Sequence, residues 1–202
     1  MEDPEEFLGE FVLDEVGELY KRDTSVDVSV GVHKFDLVPG FKKVAELHLA
    51  DAIKDPKEEL ITAYWLPWKT KAITEIELGD EAEYFFTNFL GGCQLRILPA
   101  GKTEKKVKVL HIAGDGKISD DSEGKKWRAQ EVEKVLNKAE LGRSRSFSST
   151  DPILSGGYAE AGEVTVVGFK DTSGWEFWAQ ERTEGGEVES VWKIMKAWKK
   201  SG

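Results

Sequence analysis

The sequence predicts an α+β fold, with a mixed or antiparallel sheet and helices set beside it rather than between its strands. Three observations point there. Apolar and polar residues alternate along several short stretches, as at Val26, Val28, Val30 and Val32. Helical spacing of apolar residues appears in only a few places. Strand-like stretches follow one another without the regular strand–helix alternation that builds parallel sheets.

The elements follow in order. Asp3-Pro4 reads as an N-cap with proline in the first helical position, and Leu8, Phe11, Val12, Val16 and Leu19 continue with helical spacing to about Lys21. "SVDVSVGVHKF" is a strand with one polar face, and "FKKVAELHLADAI" contains another. "EELITAYWLPWK" is a buried strand ended by Pro67. Asp80 is placed to cap a short helix that runs through Glu83 to about Leu90, with Gly91 as its stop. "CQLRIL" and "KVKVLHI" are the arms of a hairpin. "DSEGKKWRAQEVEKVLNKAELG" is a helix with Trp127, Val132, Val135, Leu136 and Ala139 on one face and Gly142 at its end. "RSRSFSSTDPILSGG" reads as a loop. "EVTVVGFK" and "WEFWAQER" form a second hairpin around "DTSG". "EVESVWKIMKAWKK" closes the chain as a helix with Val188, Val191, Trp192, Met195 and Trp198 inward.

A length of 202 residues with no internal repeat favours one domain over residues 1–202. Hydrophobic residues at 40% and charged residues at 33%, with seven Trp and ten Phe, describe a globular chain. The net charge of −10 argues against nucleic acid or an anionic membrane as the main partner. No apolar run approaches the roughly 18 residues of a spanning helix. The acidic start "MEDPEEFLGEF" is unlike a secretory signal, so the expected location is the cytoplasm of the producing cell. One cysteine forms no internal disulfide, and it is too few for a cysteine-based structural zinc site.

That cysteine, Cys93, ends the stretch "FFTNFLGGC". Pairing Ile97 with Val107 and Leu95 with Val109 puts apolar residues opposite one another, and continued outward it sets Cys93 opposite His111. Opposed residues hold their Cβ atoms ~4.5–5.5 Å apart. A free thiol titrates near pH 8.5, so a neighbouring imidazole that takes its proton makes it a nucleophile. Gly91 and Gly92 permit a turn that exposes the sulfur and lets amide N–H groups approach an oxyanion. Thr87 is placed to bond the second ring nitrogen. The alternative reading is a buried, inert cysteine after an ordinary turn. The catalytic reading leads one to expect the sulfur within about 4 Å of an imidazole nitrogen and partly accessible on the floor of a cleft. Trp65 and Trp68 are candidates to wall that cleft or, equally, core aromatics.

"ITAYWLPWK", "EYFFTNFLGGCQLRI" and "VLHIAGDG" resemble the Burkholderia lethal factor family of toxins over roughly residues 61 to 115. The family's Leu-Ser-Gly-Cys is Leu90-Gly91-Gly92-Cys93 here. The resemblance implies a protein glutamine deamidase, with Cys93 as nucleophile, His111 as base and Thr87 as orienting hydroxyl. It implies a mixed β-sandwich core wrapped by helices, shared with the catalytic domain of cytotoxic necrotizing factor and with chemoreceptor deamidases. It also implies no cofactor or metal. The substrate it implies is a protein, in the lethal factor family a DEAD-box helicase of translation initiation, met in the host cytoplasm after delivery. The chain is expected to act as a monomer. The loops Pro99–Lys105 and Gly142–Gly157 are the expected contacts to the substrate. A chemoreceptor-type deamidase and a non-catalytic binding protein of the same fold remain the alternatives.

Overall fold

The computed structural model describes residues 3–15, 28–39, 44–50, 60–69, 71–100, 106–113, 122–148, 163–183 and 187–195. Helix α1 spans Pro4–Glu10, and the Asp3 side chain accepts from the N–H groups of Glu5 and Glu6. It stops well short of Lys21 because the chain turns extended at Phe11 and enters strand β1, Val12–Glu15. Buried Gln180 stabilises that exit. Its amide donates to the Leu8 and Phe11 carbonyls at 2.6 Å each, and its carbonyl accepts from Leu13 N–H at 2.9 Å.

Strands β2 (Gly31–Pro39), β3 (Val44–Leu49) and β4 (Ile61–Leu66) follow, then β5 (Ile73–Leu78) and β6 (Tyr84–Thr87). Next come β7 (Gln94–Ala100) and β8 (Lys106–Ile112), helices α2 (Ser122–Val135) and α3 (Lys138–Arg143), and strands β9 (Arg145–Ser148), β10 (Glu163–Asp171), β11 (Gly174–Arg182) and β12 (Val188–Met195). They form an eight-stranded sheet, β1-β3-β2-β4-β6-β10-β11-β12, and a four-stranded sheet, β5-β8-β7-β9. The larger sheet is mixed, with β1–β3 and β4–β6 parallel and its other pairs antiparallel.

The sheets share a core. Tyr64, Leu66, Phe85, Val164, Val166 and Phe177 of the larger sheet form one buried cluster with Leu78, Leu95, Ile97, Val107, Val109 and Phe147 of the smaller. Alternation along each strand sends the other residues outward. Phe35, Ala63, Trp65, Phe86 and Val167 meet Leu8 of α1 on the outer face of the larger sheet. Leu98, Leu110 and Ile112 meet Val132 and Leu136 on the outer face of the smaller.

The architecture is therefore mostly β, and the helices among the described residues cover parts of two faces rather than surround the sheets. Four expectations fall. The stretch Glu83–Leu90 holds strand β6, because Phe85 and Phe86 fill cores on opposite sides of one sheet. In the C-terminal stretch, "VESVWKIM" is strand β12, paired with β11, and not a helix, and the remainder of the expected helix, 196–200 with Trp198, lies outside the described residues. Within the expected loop at 143–157, "RSFS" is strand β9 on the edge beside β7. The long helix breaks at Asn137, whose capping box with Glu140 starts α3, and Val135 is left 41% exposed. The tips of both expected substrate loops, 101–105 and 149–157, lie outside the described residues.

Candidate active site

The segment from Phe85 to Cys93 passes from one sheet to the other. Phe85 and Thr87 point into the shared core from β6. Leu90 then bridges to Val164 through N–H to carbonyl bonds of 2.7 and 3.2 Å, which pins the crossing to β10. Gly92 has φ 89°, a left-handed conformation that glycine adopts without penalty, and the chain enters β7 directly after Cys93. Asn88 closes the corner: its side-chain oxygen accepts from Trp68 N–H, tying the residues after β6 to those after β4.

β8 brings His111 to the same core from the smaller sheet. Its opposed neighbours are Leu95 on β7 and Thr74 on β5. Thr87 faces it from the larger sheet, and the Thr87 hydroxyl lies 2.8 Å from His111 Nδ1. That hydroxyl also donates its single proton to the Leu66 carbonyl at 2.7 Å. With its proton committed, Thr87 can only accept from the ring, so Nδ1 carries the hydrogen and Nε2 keeps its lone pair. His111 is 1% exposed, and burial pushes its pKa down from 6.5 to about 3, so the ring is neutral at physiological pH. Nε2 has no hydrogen-bond partner among the described residues. A neutral imidazole with an oriented Nδ1–H and an open Nε2 lone pair is the form a general base requires.

Cys93 lies in the inter-sheet cluster on the face that His111 shares, but not directly across from it. The pairing of Leu95 with His111 and Ile97 with Val109 is displaced two residues from the expected register. An even slip keeps every side chain on its face and makes Cys93 a diagonal neighbour of His111. The expected hydrogen bond from the thiol to His111 is accordingly not made. Cys93 is 6% exposed, so the expected partly open sulfur is not found either.

Trp65 does not wall this site. It is buried on the outer face of the larger sheet with Phe35 and Phe86. Trp68 packs against the inter-sheet cluster and stays half-buried. A cavity of about 250 Å³ lies elsewhere, against Glu83, Tyr84, Phe169 and Glu176, and takes in none of Cys93, His111 and Thr87. Among the described residues no three His, Cys, Asp or Glu side chains converge as a metal site would require.

Two contacts of this segment were not anticipated. Leu66, through its backbone carbonyl, sets the direction of the Thr87 hydroxyl, and no residue type signals such a role. Arg128, 3% exposed, donates to the Gly92 carbonyl at 3.0 Å. An arginine on the core-facing side of an otherwise apolar helical stripe was the available clue.

No family model matches the chain, and no curated protein sequence matches it. Among solved structures, the chain is similar to the C-terminal domain of CNFy from Yersinia pseudotuberculosis, at 9% identity and a TM-score of 0.48, covering 81% of this chain and 71% of that one. Likeness at this level identifies neither a shared fold nor an activity. The resemblance to the Burkholderia lethal factor family is not confirmed by these comparisons.

Proposed function

We propose that the chain is a cysteine-dependent, toxin-like protein glutamine deamidase on a deamidase-type sandwich. Cys93 is the nucleophile, His111 the base and Thr87 the group that orients it. The observation that carries this reading is the chain of bonds from His111 Nδ1–H to the Thr87 hydroxyl and from that hydroxyl to Leu66 O. It holds a buried, neutral imidazole in the tautomer that can take a thiol proton.

The reaction begins with a neutral pair. As Cys93 Sγ attacks the glutamine carboxamide carbon, its proton passes to His111 Nε2 and the carbonyl π electrons move to oxygen. Backbone N–H groups around Gly92 and Cys93 stabilise the oxyanion. The electron pair returns, the C–N bond breaks, and the departing nitrogen takes the proton from His111 and leaves as ammonia. Water then adds to the thioester, giving its proton to His111. The C–S bond breaks, and His111 returns a proton to the sulfur. Glutamine and water become glutamic acid and ammonia; the acid then gives its proton up to ammonia, leaving glutamate and ammonium, so a neutral side chain on the target gains a negative charge.

The substrate in this reading is a folded protein, with a host translation-initiation helicase the target that the sequence resemblance suggests, met in the host cytoplasm. Cys93 is buried, so a glutamine side chain reaches it only after the groups that cover it move aside. The same burial favours a second reading, a non-catalytic protein with an inert thiol. Alkylation of Cys93 by iodoacetamide in the folded protein separates the two. The catalytic reading expects the wild type to react roughly 10-fold or more faster than His111→Gln at neutral pH. Equal, slow rates support the inert thiol.

A further inference from the structure

We propose that Thr74 is a positioning residue of this site: its hydroxyl holds the Pro67–Trp68 peptide, and through it the Leu66 carbonyl that keeps the ring hydrogen of His111 on Nδ1. Its consequence for catalysis rests on the deamidase reading of His111. Strand β4 ends at Leu66, and Pro67 has no N–H to offer a neighbouring strand. Two side chains hold the chain one residue later. Thr74 Oγ1 donates to Pro67 O at 2.7 Å, and Trp68 N–H donates to Asn88 Oδ1. These are the two polar groups of a single trans peptide, so one rigid plane is gripped at both of them. The grips come from the two sheets: Thr74 sits on β5 of the smaller, and Asn88 directly follows β6 of the larger.

The held plane acts on the one before it. Between the Pro67–Trp68 plane and the Leu66–Pro67 plane stand only the two torsions of Pro67, and its ring fixes φ at about −65°. One torsion is left by which the Leu66 carbonyl can turn relative to the gripped peptide. That carbonyl takes the Thr87 proton at 2.7 Å, and the Thr87 oxygen lies 2.8 Å from His111 Nδ1. With the carbonyl turned away, the Thr87 hydroxyl is free to donate to Nδ1, and the ring hydrogen then belongs on Nε2. A ring protonated on Nε2 has no lone pair there to take a thiol proton. Register places Thr74 for this task. It is the residue of β5 directly opposite His111 on β8, on the face from which Ile76 and Leu78 meet the inter-sheet cluster. Its proton, like that of Thr87, goes to a main-chain carbonyl, and the two carbonyls belong to consecutive residues.

The ring itself reports this role, because a merely structural threonine would not move its tautomer. Two-bond proton–nitrogen NMR correlations distinguish the Nδ1–H from the Nε2–H imidazole. The chain has three histidines, and the pattern lost in His111→Gln assigns His111. The full chain is compared as wild type, Thr74→Val and Thr74→Ser, with circular dichroism confirming the fold and iodoacetamide alkylation of Cys93 measured alongside. The wild-type ring is expected in the Nδ1–H form. Thr74→Val, which keeps the branched shape without the hydroxyl, is expected to convert roughly a fifth or more of the ring to Nε2–H. Alkylation is expected to fall with the remaining Nδ1–H share, and Thr74→Ser to restore both. A ring that stays Nδ1–H in Thr74→Val overturns the proposal, however much stability the variant loses. Thr74→Ala carries the same test if Thr74→Val does not fold. A wild-type ring already on Nε2–H overturns the proposal and the base assignment together. A shifted tautomer without slower alkylation leaves the clamp standing and removes the deamidase role of His111 alone.

Discussion

Lowering the pH puts the buried state of His111 under direct test. In the folded chain the ring stays neutral down to about pH 3, whereas an exposed imidazole protonates near 6.5. As pH falls between those values the unfolded chain binds a proton that the folded chain refuses. The contribution of His111 to stability is therefore fully present above about pH 6.5 and is lost progressively as the solution is acidified. The whole shift corresponds to roughly 5 kcal/mol, of which about 2 kcal/mol is lost between about pH 7.5 and about pH 5. The assay is urea unfolding at those two pH values for the wild type and for His111→Gln. Every other ionisable group is common to both proteins, so it cancels in the difference of the two differences. The absolute stability of the variant does not matter, only its change with pH. The expected result is that the wild type loses about 2 kcal/mol more than the variant on acidification. Parallel pH dependences would refute a buried, neutral His111 and with it the tautomer on which the base assignment stands.

Three further outcomes are expected. Thr87→Val leaves Nδ1–H and the Leu66 carbonyl without their shared partner, at a cost of ~1–3 kcal/mol in urea unfolding, and slows deamidation roughly 10- to 1000-fold, with Thr87→Ser restoring most of both. Gly92→Ala strains a backbone at positive φ and costs ~1–3 kcal/mol, whereas Gly91→Ala, whose added methyl meets only the Phe89 ring edge at 4.0 Å, leaves the unfolding midpoint near wild type. Cys93→Ser keeps the fold, as judged by circular dichroism, and abolishes both alkylation at this position and deamidation.

The faces of the β7–β8 hairpin were legible because alternation is strict there: Leu95, Ile97, Val107 and Val109 are all buried in one cluster. Its register was not. Pairing Ile97 with Val107 or with Val109 buries the same residues, so hydrophobic pattern cannot distinguish slips of two. The proximity of Thr87 to His111 followed from the order of motifs, but the bond to Leu66 depends on parallel pairing of β4 with β6, which no local pattern specifies. β12 misled for a related reason. Trp192 and Ile194 pack toward one core and Val191 toward the other, and a strand that is apolar on both faces imitates helical spacing. Partners in space, here β11, decide such a segment. β9, with Arg145, Ser146 and Ser148 around a lone Phe147, carries too little apolar signal to read as a strand. The burial of Cys93 was equally out of reach, because it depends on packing between the two sheets and not on local pattern.

The most direct measurement is proteome-wide peptide mapping of eukaryotic cells expressing the wild-type chain or Cys93→Ser, with protein synthesis followed in parallel. Cys93, His111 and Thr87 acting together predict one or a few glutamines converted to glutamate by the wild type and left untouched by the variant. No conversion above background, or the same conversion with both proteins, would contradict the assignment of Cys93 as the nucleophile of a protein deamidase.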